Sequence, residues 1–228
     1  MKNEAKTVAV TCTTGIACKS LPPQLQATTL HSFAGNIDDS GSLNHLLEGI
    51  DSNAEAKDRW RKTDALVIDE VSMLSGKTFN YTECIARNVR QEGRALGVIQ
   101  VIASGDFFQL PPVPRYDAEG NFAFQSKVWD VMFPHTCLLK TVQRQRQPAF
   151  VDFVNEIRLG TCSPTGRQFA DSLARRVSPE DFGVDYLSEI YATNDEVDFS
   201  NFVHLESVDC ELQTWRAVDS GDTNILNR

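Results

Sequence analysis

Apolar residues fall into two spacings along the chain. Three short, continuous runs rich in β-branched residues, Thr7–Cys12 (TVAVTC), Ala65–Asp69 (ALVID) and Val98–Ala103 (VIQVIA), read as buried strands. Elsewhere apolar residues recur at helical spacing. Ser75–Gly93 places Phe79, Ile85, Ala86 and Val89 on one face, and Phe150–Leu159 forms a second amphipathic helix. Two shorter amphipathic pieces, around Leu43–Leu47 and Ala54–Trp60, lie in a polar insertion over about residues 36–63. A small-residue turn, Thr13-Thr14-Gly15, follows the first run, and Leu21-Pro22-Pro23 interrupts any helix there. Glu189–Thr193 opens a further strand. Short apolar strands alternating with helices predict an α/β fold with a parallel sheet covered by helices. The domain boundary falls near Leu139–Arg144, giving a first domain over 1–140 and the start of a second over 141–228.

Composition narrows the class without naming a function. Of the 228 residues, 41% are hydrophobic and 23% charged, the profile of a soluble globular protein. No apolar run approaches the roughly 18 residues of a membrane helix, and Met1–Lys6 has no apolar signal-peptide core. The six cysteines are scattered with no C-x-x-C pair, which argues against a zinc site or a disulfide framework. They read as reduced thiols of an intracellular protein. The net charge of −9 is unevenly spread. Residues 1–178 carry 20 Lys and Arg against 19 Asp and Glu, whereas residues 179–228 carry 2 against 12. The acidic excess is therefore a tail, and local grouping must decide whether the first part meets nucleic acid.

Three segments carry candidate chemistry. Leu66-Val-Ile-Asp69-Glu70 is an apolar strand ending in two carboxylates, the Walker B arrangement of nucleotide-hydrolysing motors. Such a strand delivers its acids to the carboxyl edge of the sheet, where open α/β sheets bind ligands. The first carboxylate suits Mg²⁺ held through its water shell, and the second suits general-base work; two solvated acids are the competing reading. Ser104-Gly-Asp-Phe-Phe-Gln109-Leu-Pro-Pro-Val113 follows another strand, and Gln109 is a neutral amide able to orient a water or a phosphate oxygen. An inward-packing loop is the alternative there. Thr11-Cys-Thr-Thr-Gly-Ile-Ala17 and Thr28-Thr-Leu-His31-Ser32-Phe33 offer hydroxyls and amides to phosphates and flat rings to bases. Taken singly, they equally describe a Thr-rich turn and an ordinary core Phe.

Together these segments resemble the petite integration frequency (PIF) helicases, a branch of helicase superfamily one. TTGIA and TTLHSFAG are similar to the family's motif Ia and its continuation, LVIDEVSM to motif II and SGDFFQLPPV to motif III. Glu83–Arg90 (ECIARNVR) resembles the branch's signature helix. Phe122-Ala-Phe124, Trp129 and Val142-Gln-Arg144-Gln145 resemble the approach to motif IV, and FVDFVNEIRLG continues it. The likeness is strong over about residues 7–160 and weaker through Ile190–Asp198.

The resemblance implies a RecA-like P-loop NTPase helicase core, with ATP and Mg²⁺ as cofactors and 5′-to-3′ unwinding as the activity. It implies single-stranded DNA and duplex junctions as partners, a monomer, and a nuclear or mitochondrial place in DNA repair, recombination and telomere maintenance. By the same resemblance Asp69 holds Mg²⁺ through water, Glu70 activates the attacking water, Gln109 senses the γ-phosphate and Arg144 serves as an arginine finger. Thr13, Thr14, Gly15, His31, Ser32 and Phe33 line the DNA track.

The phosphate-gripping loop G-x-x-x-x-G-K-[ST] is expected upstream of Thr7, where six residues stand. Thr13–Ser20 ends in Lys-Ser but has Thr13 and Cys18 at the two glycine positions, where side chains block close approach to phosphates. Gly76-Lys77-Thr78 has Val71 at the earlier glycine position. Gln143 stands where the family often has Phe, and Lys19–Ala27 carries two prolines where a shorter Gly-containing link is usual. By the resemblance the chain also ends before the family's later motifs V and VI, so the sequence is expected to be cut at both ends. Its rival reading is a non-catalytic DNA-binding or interaction remnant. Arg87, Arg90 and Arg94, at helical spacing, read as ion-pair partners or a solvated face before a functional one.

Overall fold

The computed structural model describes residues 6–35, 37, 41–113, 122–175, 177–184, 187–211 and 213–215. They form two compact units, Met1–Leu173 and Ala174–Arg228. The expected motor-domain boundary near Leu139–Arg144 lies inside the first unit, in a stretch without helix or strand between residues 134 and 147.

The first unit is built on a parallel sheet of β1 (Val8–Cys12), β2 (Thr28–Thr29), β3 (Ala65–Asp69) and β4 (Gln100–Ala103), in the order β2-β1-β3-β4. The register sets Val10, Val67 and Ile102 abreast on one face, and Leu66 between Ala9 and Val101 on the other. The second of these faces is the covered one: Leu66 and Ile68 are fully buried in the core, while Val8 and Ile102 of the opposite face are about half exposed.

Helices α1 (Gly15–Ser20), α2 (Leu30–Ala34), α3 (Leu43–Ser52), α4 (Ala54–Lys62) and α5 (Gly76–Arg90) carry the chain between the strands. The expected inward residues of α5, Phe79, Ile85, Ala86 and Val89, are all buried. This helix starts where the Ser75 hydroxyl accepts the Thr78 amide at 3.0 Å, and it ends at Gln91 in the left-handed region. The polar stretch 36–63 contributes Ile50, Ala56 and Trp60 to the same core, so its two amphipathic pieces are part of the domain's packing. Arg90 reaches from α5 to the end of α4, donating to the carbonyls of Trp60 (2.8 Å), Arg61 (3.1 Å) and Thr63 (2.9 Å), and to Gly97 O at 2.7 Å. It thereby satisfies carbonyls that a helix end leaves open. Arg87 pairs with Glu83 and Arg94 with Glu92, so all three arginines have structural partners.

Helices α6 (Trp129–Met132), α7 (Pro148–Arg158) and α8 (Pro164–Leu173) complete this unit. Pro148 opens α7 at a position where a missing N–H costs nothing. Phe169 of α8 packs on Phe150 and Phe153, and Glu156 accepts both the amide and the hydroxyl of Ser163 at 2.8 Å.

Two sequence expectations need correction. The third strand begins at Gln100, two residues late, because Ala95–Val98 forms a 3-10 turn with Leu96, Gly97 and Val98 at positive φ. Glu189–Thr193 joins no ladder among the described residues. Its last residue instead starts α9 (Asn194–Glu206) of the second unit through a capping box with Glu196. No described residue of that unit is buried.

Candidate functional site

The carboxyl ends of β1, β3 and β4 are stitched into one edge. Thr13 N donates to Asp69 O at 3.2 Å, Ser104 N to Ile68 O at 2.9 Å and Val71 N to Ser104 O at 2.9 Å. Between these bonds the chain reverses at Glu70, which has φ 56° and ψ 42°. A non-glycine residue is held there only when its surroundings over-determine it. Glu70 O accepts the Thr13 hydroxyl at 3.0 Å and the Met73 amide at 3.1 Å, while the next amide is bound to Ser104. Gly105 allows the two loops this approach: a Cβ at that position would sit 2.9 Å from Val71 N and 3.1 Å from Ser72 N.

Asp69 and Glu70 are both half-buried at this edge. Asp69, opposite Cys12 in the register, closes the last rung of the ladder. One hard oxygen donor at a strand end fits Mg²⁺, which keeps several waters and takes few protein ligands beside a substrate phosphate. Among the described residues no group of three or more His, Cys, Asp or Glu gathers as a closed metal site. The Cys12 thiol, buried beside Cys18 and near both acids, is pushed up to about 12 and stays protonated.

The loop after β4 is organised around Asp106. Its carboxylate accepts the Phe108 amide at 3.1 Å and the Gln109 side-chain amide at 3.3 Å. Arg158 of α7 meets both its oxygens, at 2.6 and 2.8 Å. Hydrogen bonding from Arg158 holds the Asp106 carboxyl at about 2. Phe107 turns inward onto Phe124 and Trp129, with ring centroids 4.9 and 5.9 Å away, whereas Phe108 and Gln109 are exposed. Arg144 stands exposed at a bend ahead of α7.

The proposed DNA segments leave the same edge side by side, since β2 pairs with β1 through Thr11–Thr28 and Cys12–Thr29. Thr14 caps α1 by accepting the Ala17 amide at 3.2 Å, and Thr29 caps α2 by accepting that of Ser32 at 3.2 Å. Gly15 and Ser32 are exposed and His31 is half-buried. Phe33 departs from the expectation of a stacking face: it is 5% exposed and sits edge-on to Trp60 with centroids 4.8 Å apart. Its apolar ring completes the core under α2.

Both phosphate-loop look-alikes are structurally committed elsewhere. The Thr13 hydroxyl and Thr14 side chain serve Glu70 O and α1, and Gly76 and Thr78 are buried at the start of α5. Asp106 and Arg158, whose pairing organises this loop, carry no signal in the sequence pattern. They lie 52 positions apart, and no local pattern joins them.

A parallel α/β sheet with an Asp-Glu strand end and an adjoining Gln loop at its carboxyl edge defines a RecA-like motor core. The chain belongs to the PIF1-like helicase family, whose family model matches residues 1–168. It is 42% identical over 223 residues to the ATP-dependent DNA helicase PIF1 of Emericella nidulans, covering 96% of this chain and 29% of that protein. It is 32% identical over 222 residues to the Saccharomyces cerevisiae ATP-dependent DNA helicase RRM3, covering 94% of this chain and 29% of the relative. The crystal structure of the Candida albicans Pif1 helicase superposes with a TM-score of 0.81 at 36% identity, over 94% of this chain and 47% of that one. A Bacteroides Pif1 helicase solved with ADP-AlF3 and single-stranded DNA shares the fold, with a TM-score of 0.73 at 23% identity over 92% of this chain and 49% of that one. The chain thus spans under a third of those two curated relatives.

Proposed function

We propose that this chain contributes the hydrolytic edge and part of the DNA track of an ATP-dependent DNA helicase that unwinds 5′ to 3′. The observation that carries the reading is the stitched edge itself, where Asp69, Glu70 and the Gln109 loop leave adjacent strands through Ser104 and Val71. Asp69 would hold Mg²⁺ through its water shell, and the ion would supply charge neutralisation at the phosphates. Glu70 accepts a proton from the attacking water. Gln109 faces the γ-phosphate, and Arg144 reaches it from the far side of the motor cleft, with the motor domains meeting near residue 140. Thr13, Thr14, Gly15, His31 and Ser32 line the DNA track, the two threonines by shaping the turn with their bonds to Glu70 O and the α1 cap, and Phe33 supports them from the core. Duplex junctions as well as single strands are the substrates, the working unit is a monomer, and the compartment is the nucleus or mitochondrion. The relatives named ATP-dependent DNA helicase support the ATP and DNA part of this reading.

The test uses a joined chain, in which the portions of the Emericella nidulans relative that flank the match are fused to these 228 residues. They are expected to supply the phosphate loop and the remaining motor half. Glu70→Gln keeps the shape and removes the base. Turnover should fall by ~10²–10⁴-fold, the usual general-base contribution, while ATP and DNA still bind. Undiminished ATP turnover by that variant would remove Glu70 from the reaction.

A further inference from the structure

Arg158 has no part in the assignments above, yet it is the outside anchor of the loop that carries Gln109. Its Nε meets Asp106 Oδ2 at 2.6 Å and its Nη2 meets Oδ1 at 2.8 Å. A forked guanidinium–carboxylate pair fixes orientation as well as distance. The same guanidinium lies 4.5 Å from the centroid of the Phe108 ring, where cation–π attraction adds to the hold. Among the described residues, the side-chain hydrogen bonds on 106–109 all pass through Asp106: one from the Phe108 amide, one from the Gln109 side chain, two from Arg158. Remove Arg158, and Asp106 keeps only partners from its own loop. The carboxylate is ionised throughout the neutral range, so the anchor does not switch with physiological pH.

We propose that Arg158 is a positioning residue for Gln109: it clamps Asp106, and Asp106 sets the Gln109 side chain at the hydrolytic edge. The inference rests on the role given to Gln109 above. It also gives α7 a function. The helix begins four residues after Arg144 and ends at Arg158, so one short segment carries both the cleft-crossing cation proposed above and the anchor of the sensing loop. Lysine is a poor substitute, since a point charge lacks the fork that engages both oxygens.

Two measurements test the chain of action. In the 228-residue protein, Arg158→Gln should speed hydrogen exchange at the Phe108 and Gln109 amides and leave β3 and β4 unchanged. Unaltered exchange in the loop overturns the clamp whatever the protein's activity. In the joined chain, Arg158→Gln should lower kcat by about 10²-fold, the cost of a small misplacement, with KM for ATP within about twofold. Arg158→Lys should fall between it and the parent. The Gln109→Ala variant should show a similar loss, and the double variant should be no worse than Gln109→Ala alone, because residues acting through one another are non-additive. Losses that multiply, or an unchanged kcat in Arg158→Gln, overturn the proposal. If Glu70→Gln abolishes turnover but Gln109→Ala does not, the positioning role falls while the ATPase reading stands. If neither lowers turnover, both fall, and the exchange result still reports on the clamp by itself.

Discussion

Glu70 occupies a backbone region that costs a residue with a side chain on the order of 1–3 kcal/mol, and three hydrogen bonds around it hold it there. The strain turns the chain between two carboxylates that an extended strand would point to opposite faces. Gly105 is the complementary device, since it lets the β4 loop donate and accept across the turn without a side chain in the way. Gly105→Ala should push the loops apart and destabilise the protein by about 1–3 kcal/mol, the range for overpacking, read as a lowered denaturant midpoint. A midpoint equal to the parent's would show that the loops yield freely. The placement of Asp69, Glu70 and Gln109 at or after strand ends was legible in the sequence because each strand announces itself by its apolar run. Phe33 was not, because an aromatic among polar neighbours looks the same whether it faces bases or Trp60. Asp106 and Arg158 escaped for a different reason: their pairing depends on folding across 52 residues.

At the scale of elements, helix α5 matched its pattern closely, with all four expected residues in the core. The strand predicted from Val98 began at Gln100 because residues at positive φ carry no hydropathy signature. α8 escaped notice because its apolar face is short and formed against α7. The segment before α7 holds the most consequential assignment of an element, since Arg144 is exposed at its bend. An arginine finger that acts mainly on transition-state charge contributes roughly 10³–10⁵-fold in P-loop GTPases. Arg144→Ala in the joined chain should therefore remove most DNA-stimulated turnover with little change in ATP affinity. Glu70→Gln should remove basal and stimulated turnover alike. Intact DNA stimulation in Arg144→Ala would transfer the role to another cation, with Arg146 the nearest candidate.

For the whole molecule, the α/β class and the parallel sheet followed from alternating runs, and the family followed from motifs in a fixed order, which a model matching residues 1–168 bears out. The division into compact units after Leu173 was marked by the charge pattern, whose acidic excess begins at residue 179, and not by the apolar pattern; α7 stays with the first unit through the Arg158–Asp106 pair and α8 through its packing on α7. The central claim is that these 228 residues carry the hydrolytic edge of a motor whose phosphate grip lies in a G-x-x-x-x-G-K-[ST] loop that the sequence itself does not contain. The direct test is the rate of ATP hydrolysis, with and without single-stranded DNA, by the 228-residue protein and by the joined chain. Without that motif to supply a backbone nest and a lysine for the β- and γ-phosphates, the 228-residue protein should be inactive, and the joined chain should turn over ATP and be stimulated by DNA. Motor-like turnover by the 228 residues alone, or none by a folded joined chain that binds ATP and DNA, would contradict the account.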